Sequence, residues 1–404
     1  MKVISIPPGA DMIIRAGRVF DGDAAIEGNN TDILITGGLI GEVRPCPHGS
    51  PAAAREGLQL LDLREYTVMP GLVDCHVHLA LDGHDFHNAM AQWQQWDLLM
   101  ERIRKDLAVT LDKGIIAVRD GGDREWIGLK ARDEINREMA WPRIRAAGTA
   151  LRNPGKYGSF LGPGLNGEGI REAVDDIARR GADHIKVLVS GVVSFKEYRR
   201  VGDIHFTPGQ LRELVSAARR RGLRVMAHAS SDNAVRLAVE AGVDSLEHGY
   251  FLSRSTLEAM TEKDIPWIPT LAPVAIQARD PAKNRYSAGE LEVITETYKR
   301  QQRIIKEASD MGVRLGVGTD AGASGVLHGK GYLEELLLLE EAGLAGEQVL
   351  RAATSVGAAI LGLEKEMGMI RPGLPPHLIA VRGNPLEDLK ALENVALMIL
   401  PCRG

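Results

Sequence analysis

The chain has 404 residues, of which 44% are hydrophobic and 25% charged, and it carries a formal net charge of −5. That length predicts one large domain with an accessory domain, or two domains, of the ordinary globular kind. There is no long run of like charge and no apolar stretch near the ~20 residues that span a bilayer, so we expect neither nucleic-acid nor membrane partners. Three cysteines without a CxxC pair favour a cytoplasmic protein that has no disulfide framework.

The two ends of the chain have the same texture. Short apolar runs bounded by Gly, Asp and Pro, such as DMIIRAGRVFDG and TDILITGGLIGEVRP, predict strands in the N-terminal part. The C-terminal part contains similar runs, GMIRPGLPPHLIAVRGNP and NVALMIL. We therefore expect residues 1–65 and 366–404 to form one composite β-sandwich domain.

The pattern changes in the middle, over residues 66–365. Short apolar runs alternate there with segments of helical period, which is typical of repeated βα units and a parallel sheet. Eight such units match the ~250 residues or more of a (β/α)₈ TIM-type barrel, so the predicted fold class is α/β with this barrel as the catalytic domain. The eight candidate strands are TVMPGLVDCHVHL, GIIAVRDGG, PRIRAAGTA, DHIKVLVSG, LRVMAHAS, VDSLEHG, WIPTLAP and VRLGVGTDAG.

The first candidate strand ends in two histidines, within the stretch GLVDCHVHLALDG. Side chains alternate along a strand, so His76 and His78 point to one face and Cys75 and Val77 to the other. Two imidazoles on one face are able to share a metal ion. Taken alone, HxH is equally consistent with two polar residues at the entrance to a loop.

Other strand ends supply further candidate ligands. The fifth strand ends in His228, the sixth in His248 and the eighth in Asp320, while Lys186 lies inside the apolar run IKVLV of the fourth. Taken singly, each histidine is consistent with a hydrogen-bonded core residue and Asp320 with a turn or a helix cap. A lysine inside an apolar strand must be neutralised, paired or modified. Since barrel enzymes collect their catalytic residues at the carboxyl ends of the strands, the coincidence of all these positions indicates a site.

These motifs together resemble the amidohydrolase superfamily of metal-dependent hydrolases. The resemblance rests on HVH after PGLVD, on IKVLVSG, VMAHA, SLEHG and GTDAG, and it covers nearly the whole chain. The stretches SLEHGYFLSRSTLEAM, WIPTLAP and GTDAGASGVLHG resemble the prolidase-like and imidazolonepropionase-related branch.

The resemblance implies a site with two divalent metal ions, with zinc expected. His76 and His78 would bind one ion together with Asp320, and His228 and His248 would bind the second. Lys186, carboxylated by carbon dioxide, would bridge the two. Imidazole nitrogens and anionic oxygens are ligand types that zinc accepts.

The implied reaction is hydrolysis of a C–N acyl bond by a hydroxide held between the ions, with Asp320 as the catalytic acid–base group. Deaminases of this superfamily commonly carry a glutamate three residues after the fifth-strand histidine, where this chain has Ser231. This difference argues against deamination. The first alternative is nevertheless a deaminase or a cyclic-amide hydrolase that uses a single metal, with Lys186 uncarboxylated. A scaffold protein without activity is the second.

The barrel loops suggest the substrate and its contacts. Tyr157 and His328 are candidates for polarising the substrate carbonyl, and Arg152 for holding a substrate carboxylate, although an ordinary loop or surface role is the commoner one for each residue type. We expect a small-molecule substrate, a dipeptide or an N-acyl amino acid, cleaved in a prolidase-like or carboxypeptidase-like reaction. Barrels of this kind often pair, so a homo-oligomer is expected.

Overall fold

The structure is a computed structural model that describes residues 2–28, 30–46, 58–138, 141–165, 169–279 and 286–402. Strands and helices alternate through the middle of these ranges, as expected of βα units. The strands are β1 (Lys2–Ile6), β2 (Met12–Val19), β3 (Thr31–Thr36), β4 (Leu39–Pro45), β5 (Gln59–Pro70), β6 (Leu72–Val77), β7 (Ile115–Asp120), β8 (Arg143–Ala146), β9 (Ala150–Leu151), β10 (His184–Leu188), β11 (Arg224–Ala229), β12 (Ser245–His248), β13 (Trp267–Ile268), β14 (Leu378–Arg382) and β15 (Val395–Pro401).

The helices are amphipathic elements, several of which begin at a defined cap. Thr207, for example, accepts a hydrogen bond from the backbone N–H of Gln210 in a capping box, with Pro208 in the first turn. The helices are α1 (Phe86–Ala91), α2 (Trp96–Asp112), α3 (Ile127–Ile135), α4 (Ile170–Arg179), α5 (Pro208–Arg220), α6 (Asp232–Ala241), α7 (Arg254–Glu262), α8 (Ala272–Arg279), α9 (Ala288–Asp310), α10 (Lys330–Glu341), α11 (Gly346–Arg351) and α12 (Gly357–Leu361).

Both ends of the chain contribute to one seven-stranded sheet. Its order is β1-β15-β14-β5-β2-β3-β4, so the two C-terminal strands lie side by side between the N-terminal strands β1 and β5. Alternate positions along these strands bury a separate apolar core that includes Ile14, Ile33, Val68 and Ile399. Strand β5 runs to Pro70, beyond the predicted boundary at residue 65. The division into two domains stays a prediction.

Parallel strands fill the middle of the chain. One sheet has the order β13-β12-β11-β10-β9 and another the order β6-β7-β8, with parallel pairing throughout. Their residues are almost entirely buried, which explains the continuous apolar runs in the sequence.

The eighth predicted strand forms bridges and not a ladder. Ala321 bridges Val77 and Leu315 bridges Trp267, both in parallel, so this segment lies between β6 and β13. Its backbone turns left-handed at Asp320, with φ of 56°, which interrupts regular pairing. One continuous ladder of eight strands is not detected in the described chain, where two separate parallel sheets with alternating strands and helices are found.

No helix within the described residues is both long and apolar enough to cross a membrane.

Candidate metal centre and active site

Three potential ligands lie close together. His76 and His78 come from the end of β6, and Asp320 comes from the segment that follows α9. The Oδ1 atom of Asp320 lies 3.5 Å from Nε2 of His76 and 3.4 Å from Nε2 of His78. One ligand atom from each of the three residues falls within 4.8 Å of the others. The alternation of side chains along β6 puts both imidazoles on this face, with Val77 on the other.

A second group of ligands comes from β11 and β12. The parallel register sets Ala229 beside His248, so the histidine that ends β12 lies diagonally across from His228. Their ring centroids are 4.4 Å apart, and His248 lies 5.1 Å from the ring of His76. The two histidine pairs therefore belong to one cluster.

Lys186 lies between these groups. Its Nζ atom is 3.3 Å from Nε2 of His76, and the side chain is fully buried. Burial lowers the pKa of Lys186 to about 8, against the opposing fields of Glu247 and Asp320. Among the described residues, Lys186 forms no ion pair with a carboxylate. Because its pKa is lowered, the neutral, nucleophilic form of this amine is more populated near neutral pH than that of an exposed lysine.

Four further ligand candidates, His76, His228, His248 and Asp320, have shifted pKa values as well. Burial lowers the pKa of His228 to about 3 and that of His76 and His248 well below the usual value, because the imidazolium form is disfavoured there. Burial raises the pKa of Asp320, but His76, His78 and Lys186 outweigh this effect, so its net pKa is lowered. Burial therefore favours the neutral imidazole form of His76, His228 and His248, while the surrounding groups favour the carboxylate form of Asp320.

Each of three histidines has one ring nitrogen held by the protein. His76 Nδ1 donates to Glu247 at 2.9 Å, His248 Nδ1 lies 2.8 Å from Thr270 Oγ1, and His228 Nε2 lies 3.3 Å from the carbonyl of Gly191. Holding one nitrogen fixes the ring orientation and leaves the other to a ligand, as is usual for metal-binding histidines. This donor set fits divalent metal ions of the zinc type.

Glu247 belongs to a buried network that the sequence did not single out. Its carboxylate accepts from Arg119 at 2.9 Å and from the Ser245 hydroxyl at 2.7 Å, in addition to His76. Arg119 also donates to the carbonyl of Cys75, at the start of the HVH motif. The only signal in the sequence was the acidic residue of SLEHG, next to His248.

The backbone at His248 is held by residues from later in the chain. His248 and Thr270 both have left-handed conformations, with φ of 69° and 48°. The buried amide of Gln301 donates to the carbonyls of His248 at 3.3 Å and Pro269 at 2.6 Å, and the indole of Trp267 donates to His248 at 3.0 Å. These bonds stabilise a conformation that costs on the order of 1–3 kcal/mol for a residue other than glycine.

The six ligand candidates open into one cavity of about 320 Å³. Tyr157 lines it and stacks on His228, with ring centroids 5.8 Å apart. Further lining residues that the sequence did not indicate are mostly apolar. The apolar and aromatic ones are Leu81, Phe86, Phe160, Leu161, Val192, Tyr250 and Ala323, and the small residues Gly83, Ser230, Gly322 and Ser324 line the cavity as well.

The structure does not bring Arg152 and His328 to this cavity. The Arg152 guanidinium donates to the carbonyls of Gly162 and Lys156, both at 2.8 Å, and so stabilises its own loop. His328 Nε2 lies 2.9 Å from the carbonyl of Leu81. In this structure both are buried residues that support the loops around the cavity, and neither lines it.

A family comparison agrees with this arrangement. The model of the amidohydrolase family matches residues 67–399, which include all six ligand candidates. The chain belongs to the amidohydrolase family. The resemblance noted from the motifs is thereby confirmed.

Individual relatives lie in the expected branch. The chain is 26% identical over 360 residues to the ochratoxinase of Aspergillus niger, a match that covers 81% of this chain and 72% of the relative. It is 25% identical over 373 residues to an imidazolonepropionase of Rhizorhabdus wittichii, covering 80% and 81% of the two chains. A solved Xaa-Pro dipeptidase with methionine in its active site superposes with a TM-score of 0.83 at 29% identity, over 97% of this chain and 98% of the other.

Membership of this amidohydrolase family makes the chain a hydrolytic enzyme that acts on carbon–nitrogen bonds. The alternative of a scaffold without activity is not supported. The family generally uses divalent metal ions, and the group of His76, His78 and Asp320 suits one.

Proposed function

We propose that this amidohydrolase cleaves the amide or peptide bond of a dipeptide or an N-acyl amino acid at a site for two divalent metal ions. The observation that carries the proposal is the cluster of four histidines, Asp320 and a buried lysine around one cavity. The Xaa-Pro dipeptidase and the ochratoxinase among its relatives support an amide substrate.

The residues divide between two ions. His76, His78 and Asp320 would hold one ion, and His228 and His248 the other, with zinc as the expected metal. When bound, such a pair of ions supplies a hydroxide at neutral pH and polarises the substrate carbonyl.

Lys186 would bridge the two ions as a carbamate. The neutral Nζ amine attacks carbon dioxide, forms an N–C bond and releases one proton, which leaves an anionic carboxylate on the side chain. The lowered pKa of Lys186 supports this step, because a protonated ammonium has no lone pair to react. The carbamate also replaces a buried cation by an anion among divalent cations, which is electrostatically favourable.

Asp320 is the proposed acid–base group. Its Oδ1 faces the two imidazoles of the HVH motif, so Oδ2 is the oxygen available to accept the proton of the attacking water and return it to the leaving nitrogen. Tyr157 is the proposed hydrogen-bond donor to the substrate carbonyl, and its stacking on His228 at the cavity wall supports this role.

The alternative reactions are less well supported. The position where deaminases carry a glutamate is Ser231, whose hydroxyl accepts from the backbone of Ala234 as the N-cap of α6. It offers no carboxylate to a departing ammonia. Hydrolysis of the acyl bond is therefore favoured over deamination.

The deciding experiment is the metal content per chain of protein produced with zinc and bicarbonate and dialysed against chelator-free buffer. About two ions per chain, together with turnover of dipeptides or N-acyl amino acids, is the expected result. One ion per chain, with activity on cyclic amides alone, would replace the binuclear proposal by the mononuclear alternative.

A further inference from the structure

Three aromatic rings form one wall of the cavity, and the proposed mechanism uses only the Tyr157 hydroxyl of this wall. Phe86, at the start of α1, meets Phe160 edge-to-face with ring centroids 4.9 Å apart. Phe160 meets Tyr157 in the same manner at 6.0 Å, and Tyr157 stacks on His228. The wall therefore runs from the mouth of the cavity to a ligand candidate at its floor.

Away from the metal cluster, the described residues that line the cavity offer hydroxyl groups but no charged side chain to a charged substrate group. Among the described residues that line it there is no arginine and no glutamate, and Lys186 is the one lysine. Arg152 does not line the cavity, and its guanidinium donates to the loop carbonyls of Gly162 and Lys156. Burying a charge without a partner is costly, so the wall selects against charged groups.

Two of the most exposed large apolar side chains of the described protein lie at this cavity. Phe86, at the start of α1, is 39% exposed, and Val192, in the loop after β10, is 42% exposed. A neutral ring placed between them would remove this surface from water and extend the edge-to-face series, which is the favoured geometry for aromatic pairs.

We propose that Phe86, Phe160 and Tyr157 form an aryl subsite, which binds an uncharged aromatic group next to the scissile amide. The inference rests on the proposed function, and it narrows the substrate class to amides with an aryl group on the acyl or the amine side. Any carboxylate of such a substrate lies in the solvent at the mouth of the cavity.

Matched substrates test the subsite on the zinc-loaded enzyme. N-benzoylglycine against N-acetylglycine places the ring on the acyl side, and N-acetylphenylalanine against N-acetylalanine places it on the amine side. We expect kcat/KM to rise at least about tenfold for the aryl member of one pair, which also identifies the side. Equal values within both pairs would overturn the subsite.

A third comparison tests the absence of a carboxylate partner. N-benzoylglycinamide should be cleaved within about threefold of N-benzoylglycine, since no cation of the lining contacts the carboxylate. A loss beyond about a hundredfold without the carboxylate would contradict the proposal.

Binding to the metal-free protein separates this inference from the proposed function. Calorimetry with N-benzylacetamide and N-methylacetamide, in the presence of chelator, reports the subsite without turnover. Tighter binding of the aryl amide by an enzyme that cleaves none of these substrates would leave the subsite standing and refute the proposed function. No preference in binding would refute the subsite itself.

Variants locate the effect. Phe160→Leu and Phe86→Ala should each reduce the ratio of aryl to methyl kcat/KM by about threefold to tenfold. Leu98→Ala, an equally exposed apolar residue on α2 that does not line the cavity, is the matched control and should leave the ratio unchanged. A ratio that falls in the control as much as in the wall variants would show that the wall is not responsible.

Discussion

Two cavities of nearly equal size lie in this protein and differ in their polar groups. The metal-site cavity has about 320 Å³, and a cavity between the composite sheet and the β7–β8 region has about 330 Å³. In the second, Arg143 pairs with Glu366 at 3.4 Å, and His377 Nδ1 bonds to a backbone carbonyl at 3.0 Å. In the first, Lys186 has no ion pair with any carboxylate of the described ranges, and four imidazoles converge. Size alone therefore does not identify a site, whereas polar groups held ready for a ligand do.

The largest expected effect is at Lys186. Lys186→Ala should lose the second metal ion and reduce kcat by roughly 10³-fold or more, because the bridge between the two halves of the ligand cluster is gone. A short carboxylic acid should restore part of the activity by taking the place of the carbamate. Metal analysis and turnover check this, with Lys105→Ala on the surface of α2 as control. A Lys186→Ala protein with both ions and full activity would exclude the carbamate bridge.

Glu247→Gln should have the next largest effect. The amide accepts from only one of His76 and Arg119, so His76 loses its fixed orientation. We expect metal affinity to fall roughly 10–100-fold, measured by competition with a chelator. The exposed change Glu101→Gln is the control. Unchanged affinity would show that the Glu247 network serves folding alone.

Glu335 provides a pH-dependent effect near the same cavity. Burial raises its pKa from 4.5 to about 8, while it accepts hydrogen bonds from the backbone of Leu271 and Ala272. A group whose folded pKa is raised contributes stability below its unfolded pKa, and this stability is lost as the pH rises through the folded value. The window is therefore about pH 4.5 to about pH 8.

Glu335→Gln should remove that part of the pH dependence. The variant is expected to have a lower Tm at acid pH, because one backbone N–H loses its acceptor, but a smaller decline towards alkaline pH than the wild type. Thermal unfolding across the window measures this, with the neighbouring Glu334→Gln as control. An identical decline in wild type and Glu335→Gln would refute the assignment.

The smallest effect is expected in the second cavity. Arg143→Met removes a partly exposed ion pair, which contributes about 0–1 kcal/mol, and should leave metal content and kcat/KM unchanged. Thermal unfolding and turnover check both expectations. A large loss of activity would mean that the second cavity is coupled to the metal-site cavity.

The sequence predicted the secondary-structure elements and the ligand candidates better than it predicted the residues that hold those ligands in place. His76, His78, His228 and His248 were found because strand period and strand order are local properties of the chain. Glu247 was missed because its partner His76 is 171 residues away, and only the folded sheet brings them together.

Arg152 shows a second limit of sequence reasoning. A cation in a barrel loop is equally compatible with a substrate contact and with a bond to its own backbone, and the folded loop took the second option. The broken pairing of the eighth strand has a similar cause, since the left-handed backbone at Asp320 depends on its tertiary contacts.

The hydrogen bonds from Gln301 and Trp267 to the backbone carbonyl of His248 also bear on the order in which the site forms during folding. Gln301 lies 53 residues beyond His248, on α9, so the hydrogen bond between them is not available when β12 has been synthesised but α9 has not. The strained turn at His248 is therefore expected to settle only after α9 has docked, which makes its half of the metal centre a late product of folding. A chain ending at Arg279 would lack this stabilisation. Although such a chain contains His76 and His78, we expect its affinity for metal to be no higher than that of an unfolded polypeptide.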